Sequence, residues 1–256
     1  MNRMQSLPDR PVTPSRGKIA RPARPYTCAS ECHCYLAPLH YEPNYSYPLV
    51  VWLHGPENNE NQLKQIMPLV SLRNYVAAAP RATAVSEDDD GARSKFCWRQ
   101  DEPDVQLAEE RLWECIDGAR RRFNVAADRV FLAGLECGGA MALRLALRNP
   151  DQFAGVLSFG GAFPTDRAPL SRLHAVRRLP LFFATTWESV LYPQAQLCDH
   201  LRLFHSAGMA VTVRHYCGED GLTTLMLADM DRWIMEHITG ASSYAPDDLI
   251  ENRSVN

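Results

Sequence analysis

The sequence predicts an α/β protein whose central sheet is mostly parallel and carries helices on both faces. Two observations lead there. Short β-branched, apolar runs alternate along the chain with stretches of helical periodicity, the pattern of βαβ units. A chain of 256 residues, 46% hydrophobic and 22% charged, can also bury one large core without disulfide or metal staples.

Residues 1–26 hold Pro8, Pro11, Pro14, Pro22 and Pro25, with six Arg/Lys and one acid, Asp9, and read as a flexible basic arm. Cys28, Cys32 and Cys34 surround His33 at a spacing unlike paired zinc knuckles, and read as small side chains on an incoming strand. Pro48–His54 is a buried strand and Tyr75–Ala79 its neighbour. Val105, Ala108, Leu112, Cys115, Ile116, Ala119 and Phe123 recur at helical spacing and mark a core-packing helix. A strand over Arg129–Gly134 leads through a very tight turn into a helix over Ala140–Arg148, which Pro150 ends. Strands follow at Ala154–Phe159, Leu181–Ala184 and Met209–Tyr216. A helix near Gln194–Phe204 separates the last two, and a final helix turns Met226, Met230, Trp233 and Ile234 inward. No repeat or second core is visible, so one domain spans 27–240 and a C-terminal tail spans 241–256.

A formal charge of −3 supplies no basic field for nucleic acid. No apolar run is long enough for a membrane span, and the N-terminus lacks the apolar stretch of a secretory signal, so a soluble, cytoplasmic protein is expected. The eight cysteines are then read as reduced thiols.

The strand, turn and helix meet in VFLAGLECGGAMAL, residues 130–143. With His54-Gly55, Ala79-Pro80-Arg81, Phe96-Cys97-Trp98, Asp128-Arg129 and Phe153-Ala-Gly155 around it, this segment resembles the α/β-hydrolase superfamily, in its phospholipase/carboxylesterase branch. The likeness covers roughly residues 35–238 and implies the α/β-hydrolase fold. It also implies a Gly-x-Ser-x-Gly elbow whose serine stands above the sheet. Gly134 and Gly138 match the two glycines, but the serine position holds Glu136.

The resemblance assigns four parts to ester hydrolysis. At the nucleophile position Glu136 is a carboxylate with no hydroxyl to deprotonate. At the acid position, in ATTWESVLYP, Glu188 keeps a carboxylate. The histidine position, in the loop after the last strand, falls on Gly221, with His215 about six residues too early. Of the two oxyanion amides, that of Cys137 is retained, whereas Pro56 has no N–H to give. Three of the four parts are thus altered towards loss of hydrolysis.

Three other arrangements use the same residues. Cys137 could act as nucleophile, although this places Leu135 where a small residue belongs. Glu136 could attack as a carboxylate, but no histidine is placed to activate water. Glu136, Glu188, Glu219 and Asp220 could form an acidic pocket for a cation or amine, set against the ordinary solvation of loop acids. At the start of a helix, Glu136 is expected to be held as an anion by the amides of Cys137 and Gly138, with a lowered pKa. The sequence therefore points to a catalytically inactive hydrolase-fold protein with a binding or assembly role. It needs no cofactor or metal and takes an unidentified protein or small-molecule partner. A working carboxylesterase with a divergent site is the alternative.

Overall fold

The computed structural model describes residues 27–30, 33–86, 95–165 and 172–240. The arm 1–26, the tail 241–256 and Cys32 lie outside them. In chain order, β1 (Thr27–Ser30), β2 (His33–Leu36) and β3 (Tyr47–Leu53) precede α1 (Leu63–Val70) and β4 (Val76–Pro80). Then come β5 (Thr83–Ser86), β6 (Lys95–Cys97), α2 (Glu102–Arg122), β7 (Val125–Leu135), α3 (Cys137–Arg148) and β8 (Gly155–Phe159). The chain continues through α4 (Leu173–Val176), β9 (Leu181–Thr186), α5 (Gln194–Ala207), β10 (Val211–Tyr216) and α6 (Thr224–Thr239).

Eight strands form one sheet in the order β1-β2-β4-β3-β7-β8-β9-β10. From β4 to β10 every neighbouring pair is parallel; β1 and β2 add an antiparallel margin. Strand β3 explains the central position: all seven of its residues are buried, which suits a strand covered on both faces. Leu49, Val51 and Leu53 join the core under α2, α3 and α5, while Val50 and Trp52 join the core under α1 and α6. Helix α2 carries its own signals: the Asp101 carboxylate accepts the Asp104 amide at 3.1 Å, and Arg120, Arg121 and Arg122 occupy its last turn.

Several bounds differ from those read in the sequence. The elbow helix starts at Cys137, three residues before Ala140, because the two glycines that follow are packed as helix despite their low propensity. Strand β7 extends back to Val125 and forward to Leu135. Helix α1 and the separate β5–β6 hairpin are additional: Pro68 sits inside α1 and masks its period, and the hairpin strands are too short to show one. Cys34 lies on β2, the incoming strand, and is buried.

Candidate functional site

Strand β7 lies between β3 and β8 in the middle of the sheet, with Gly134 in register with Leu53 on one side and Ser158 on the other. At its carboxyl end the chain reverses into α3 through a single residue, Glu136, at φ 49° and ψ −112°. A non-glycine residue in that conformation costs about 1–3 kcal/mol. Steric closeness forces the turn. A Cβ on Gly138 would stand 2.3 Å from the Leu53 carbonyl oxygen, and one on Gly134 would stand 2.5 Å from the Gly138 backbone. Only glycine lets the first turn of α3 sit this low against β3 and β7. The turn is pinned by its own backbone: the Glu136 N–H donates to the Phe159 carbonyl at 2.7 Å, and the Ala140 N–H donates to the Glu136 carbonyl at 2.9 Å.

Above the turn is a cavity of about 300 Å³, lined by Pro56, Glu136, Cys137, Gly160, Gly161 and Leu191 among others. These residues follow the ends of β3, β7, β8 and β9, the side of a parallel sheet where ligands bind. Three residues singled out from sequence therefore share the cavity: Pro56, Glu136 and Cys137. Glu188 and Gly221 do not line it; both are exposed, Glu188 in the turn after β9 and Gly221 after β10 at φ 152°.

The expectation for the Glu136 charge is overturned. Its side chain makes no capping hydrogen bond to the helix amides. Burial pushes its carboxyl above the usual glutamate range, and the negative charge of Asp220 pushes it further. Helix-end amides stabilise an anion when they donate to it, and here that geometry is missing.

Asp220 is the carboxylate with partners. One oxygen accepts the Val190 and Leu191 amides at 2.8 and 3.1 Å, and the other accepts the Thr186 hydroxyl at 3.4 Å. Burial alone would raise its pKa, but hydrogen bonds from Ser189, Leu191, Val190 and Thr186 outweigh that and hold it below the usual aspartate range. The loops after β9 and β10 are thus joined by a carboxylate on the later loop and amides on the earlier one. Among the described residues no group of three or more His, Cys, Asp or Glu could hold a metal ion, so the four acids do not gather as a cation site.

The histidines near the site are engaged elsewhere. His54 is buried, and its Nδ1 lies 2.8 Å from the Gly55 carbonyl, while Nε2 accepts the Ala82 N–H at 3.1 Å; burial lowers its pKa to about 4. That pattern fixes a neutral ring with the proton on Nδ1. His215 stacks on Trp187 at 4.6 Å between centroids, with Nδ1 3.2 Å from the Thr185 hydroxyl.

On the β3 side, the Gly55 N–H donates to Gln62 Oε1 at 3.0 Å, and Pro56 follows without an N–H. Sequence reasoning missed this use of Gln62, the partners of Asp220 and the contact between Cys97 and Cys137, whose sulfurs are 3.5 Å apart. All three join distant loops, and only the presence of the residue types was visible beforehand.

A family model described as "Putative esterase" matches residues 27–215. Over 123 residues the chain is 32% identical to "Putative esterase NocK" of Nocardia uniformis subsp. tsuyamanensis, covering 47% of this chain and 35% of that protein. It is 28% identical over 141 residues to a "Probable carboxylesterase" of Oryza sativa subsp. japonica, covering 47% of this chain and 58% of that one. The chain thus spans between about a third and three fifths of the curated relatives it matches. Among solved structures it is similar to a Bacillus cereus carboxylesterase, with TM-score 0.63 and 17% identity over 80% of this chain and 93% of that one. The architecture is the α/β-hydrolase fold.

Proposed function

We propose that this chain, which belongs to the esterase family whose model it matches, is a catalytically inactive member that binds a small molecule or a protein at its elbow cavity. The observation that carries the reading is Glu136 at the strained turn, the place where the resembling enzymes present a serine. A carboxylate there has no proton for a base to remove on the way to an acyl intermediate. The remaining geometry agrees with this reading. No imidazole lines the cavity among the described residues, His54 is tied up as a neutral ring, and the β3 loop offers no amide at Gly55 or Pro56. No helix among the described residues is long and apolar enough to cross a membrane. Cys34, Cys97, Cys115, Cys137, Cys198 and Cys217 are free thiols, in keeping with the reducing, cytoplasmic setting this reading takes.

Incubation with short-chain aryl esters and with a fluorophosphonate tests this. The expected result is no hydrolysis above buffer and an unchanged protein mass. Turnover, or a stoichiometric adduct, would establish instead the divergent working esterase. Glu136→Ser alone should stay inactive, because general-base help is worth about a hundred- to ten-thousand-fold and none is supplied. Activity should require Gly221→His as well, and rise further with Pro56→Leu, even though the φ of 152° at Gly221 strains any side chain placed there.

A further inference from the structure

Cys97 ends β6, and Cys137 opens α3 beside Glu136. They are 40 residues apart in sequence, yet their sulfurs are 3.5 Å apart, with the Cys97 thiol donating to Cys137. A disulfide needs about 2.05 Å between sulfurs, so side-chain rotation of roughly 1.5 Å closes the gap. Both residues are partly exposed, and Cys137 lines the cavity. Four other thiols are differently placed. Cys34 and Cys115 are buried in the cores on opposite faces of the sheet, and Cys198 and Cys217 are exposed on α5 and after β10.

We propose that Cys97 and Cys137 form a reversible disulfide when the protein meets hydrogen peroxide, making the wall of the elbow cavity a site of oxidative modification. The chemistry takes two steps. The Cys97 sulfur attacks one peroxide oxygen, the O–O bond breaks, and Cys97 becomes a sulfenic acid as water leaves. The Cys137 sulfur then attacks the sulfenic sulfur. The S–O bond breaks, the departing hydroxide takes the Cys137 proton to form a second water, and the S–S bond remains. Two thiols have lost two electrons, and one peroxide has gained them. The order of attack follows from burial, which, with neighbouring Cys97, pushes the Cys137 thiol up to about 12 and keeps it protonated until the second step. A small reductant such as dithiothreitol reverses the reaction by thiol exchange. The new bond ties β6 to the first turn of α3. Since it closes a 40-residue segment, it constrains the unfolded chain and raises thermal stability. None of this depends on whether the cavity hydrolyses anything.

The test treats the full chain with hydrogen peroxide, blocks remaining thiols with N-ethylmaleimide, and maps the unreduced digest by mass spectrometry. The expected product is a linked pair of peptides containing Cys97 and Cys137, lighter than their sum by two hydrogens. It should be removed by dithiothreitol and accompanied by a higher melting midpoint that dithiothreitol also reverses. Cys97→Ser and Cys137→Ser should each abolish the linked pair and the rise in midpoint. Should Cys137→Ser fold poorly, Cys97→Ser carries the test from the β6 side. The proposal is overturned if Cys97 and Cys137 are both recovered as maleimide adducts after treatment. It is equally overturned if Cys97 is found as sulfinic or sulfonic acid without the cross-link, or if the cross-link joins other cysteines.

Discussion

The turn at Glu136 and the loop after β9, which Asp220 ties to the loop after β10, border one cavity but are held by different forces. At the turn, backbone presses on backbone: Gly138 has room for no side-chain atom against the Leu53 carbonyl, and Glu136 is clamped between Phe159 and Ala140. In the loops, one carboxylate on Asp220 collects two amides and the hydroxyls of Thr186 and Ser189, while Trp187, Val190 and Leu191 remain exposed around it. The first arrangement is dictated by how α3 packs on the sheet, so it tolerates a change of the residue at its apex. The second is dictated by side chains, so a few substitutions redirect it. The shape of the turn therefore depends little on which side chain stands at its apex.

That contrast can be broken most severely at Gly138. Gly138→Ala inserts a carbon 2.3 Å from the Leu53 carbonyl oxygen, and urea unfolding should show a loss of about 3 kcal/mol. A loss under about 1 kcal/mol would show that α3 lifts away cheaply and that the turn is not sterically fixed. Asp220→Asn probes the other region. Hydrogen exchange at the Val190 and Leu191 amides should accelerate by about tenfold, a modest figure because both residues are already exposed. Exchange at Ala140 should not change; if it rises equally, the two regions are one unit. The smallest effect is expected from Glu136→Gln. A carboxyl whose folded pKa lies above its unfolded value binds more protons folded than unfolded, so its contribution falls as pH rises through that interval. The glutamine variant should accordingly be more stable near neutrality, by less than about 1 kcal/mol. The advantage should vanish below a pH of about 4.3, where glutamate is protonated in both states. A variant less stable at neutral pH would restore the helix-held anion.

Much of this was legible because some constraints write themselves locally. The run Leu49–Leu53 reads as a doubly covered strand and is one. The elbow leaves a signature in Gly134 and Gly138 since no other residue fits. Helix α2 carries both its period and its end signals. The titration of Glu136 was misread for the opposite reason: its direction is set by burial and by Asp220, 84 positions on along the chain (220 − 136). The Cys97–Cys137 contact is likewise invisible to any local period. Helix α1 was hidden by Pro68, a residue that ordinarily ends helices.

Gln62 has one consequence for what the cavity can hold. Its buried Oε1 accepts both the Trp52 indole N–H at 2.8 Å and the Gly55 amide, filling the two lone pairs of a single oxygen. The rim beside it is therefore electrically quiet, a committed amide followed by a proline ring. Facing that rim, Glu136 is pressed by the charge of Asp220. An entering anion would therefore find no N–H to accept from at Gly55 or Pro56, so that side of the cavity has no donor with which to hold a carboxylate or an oxyanion.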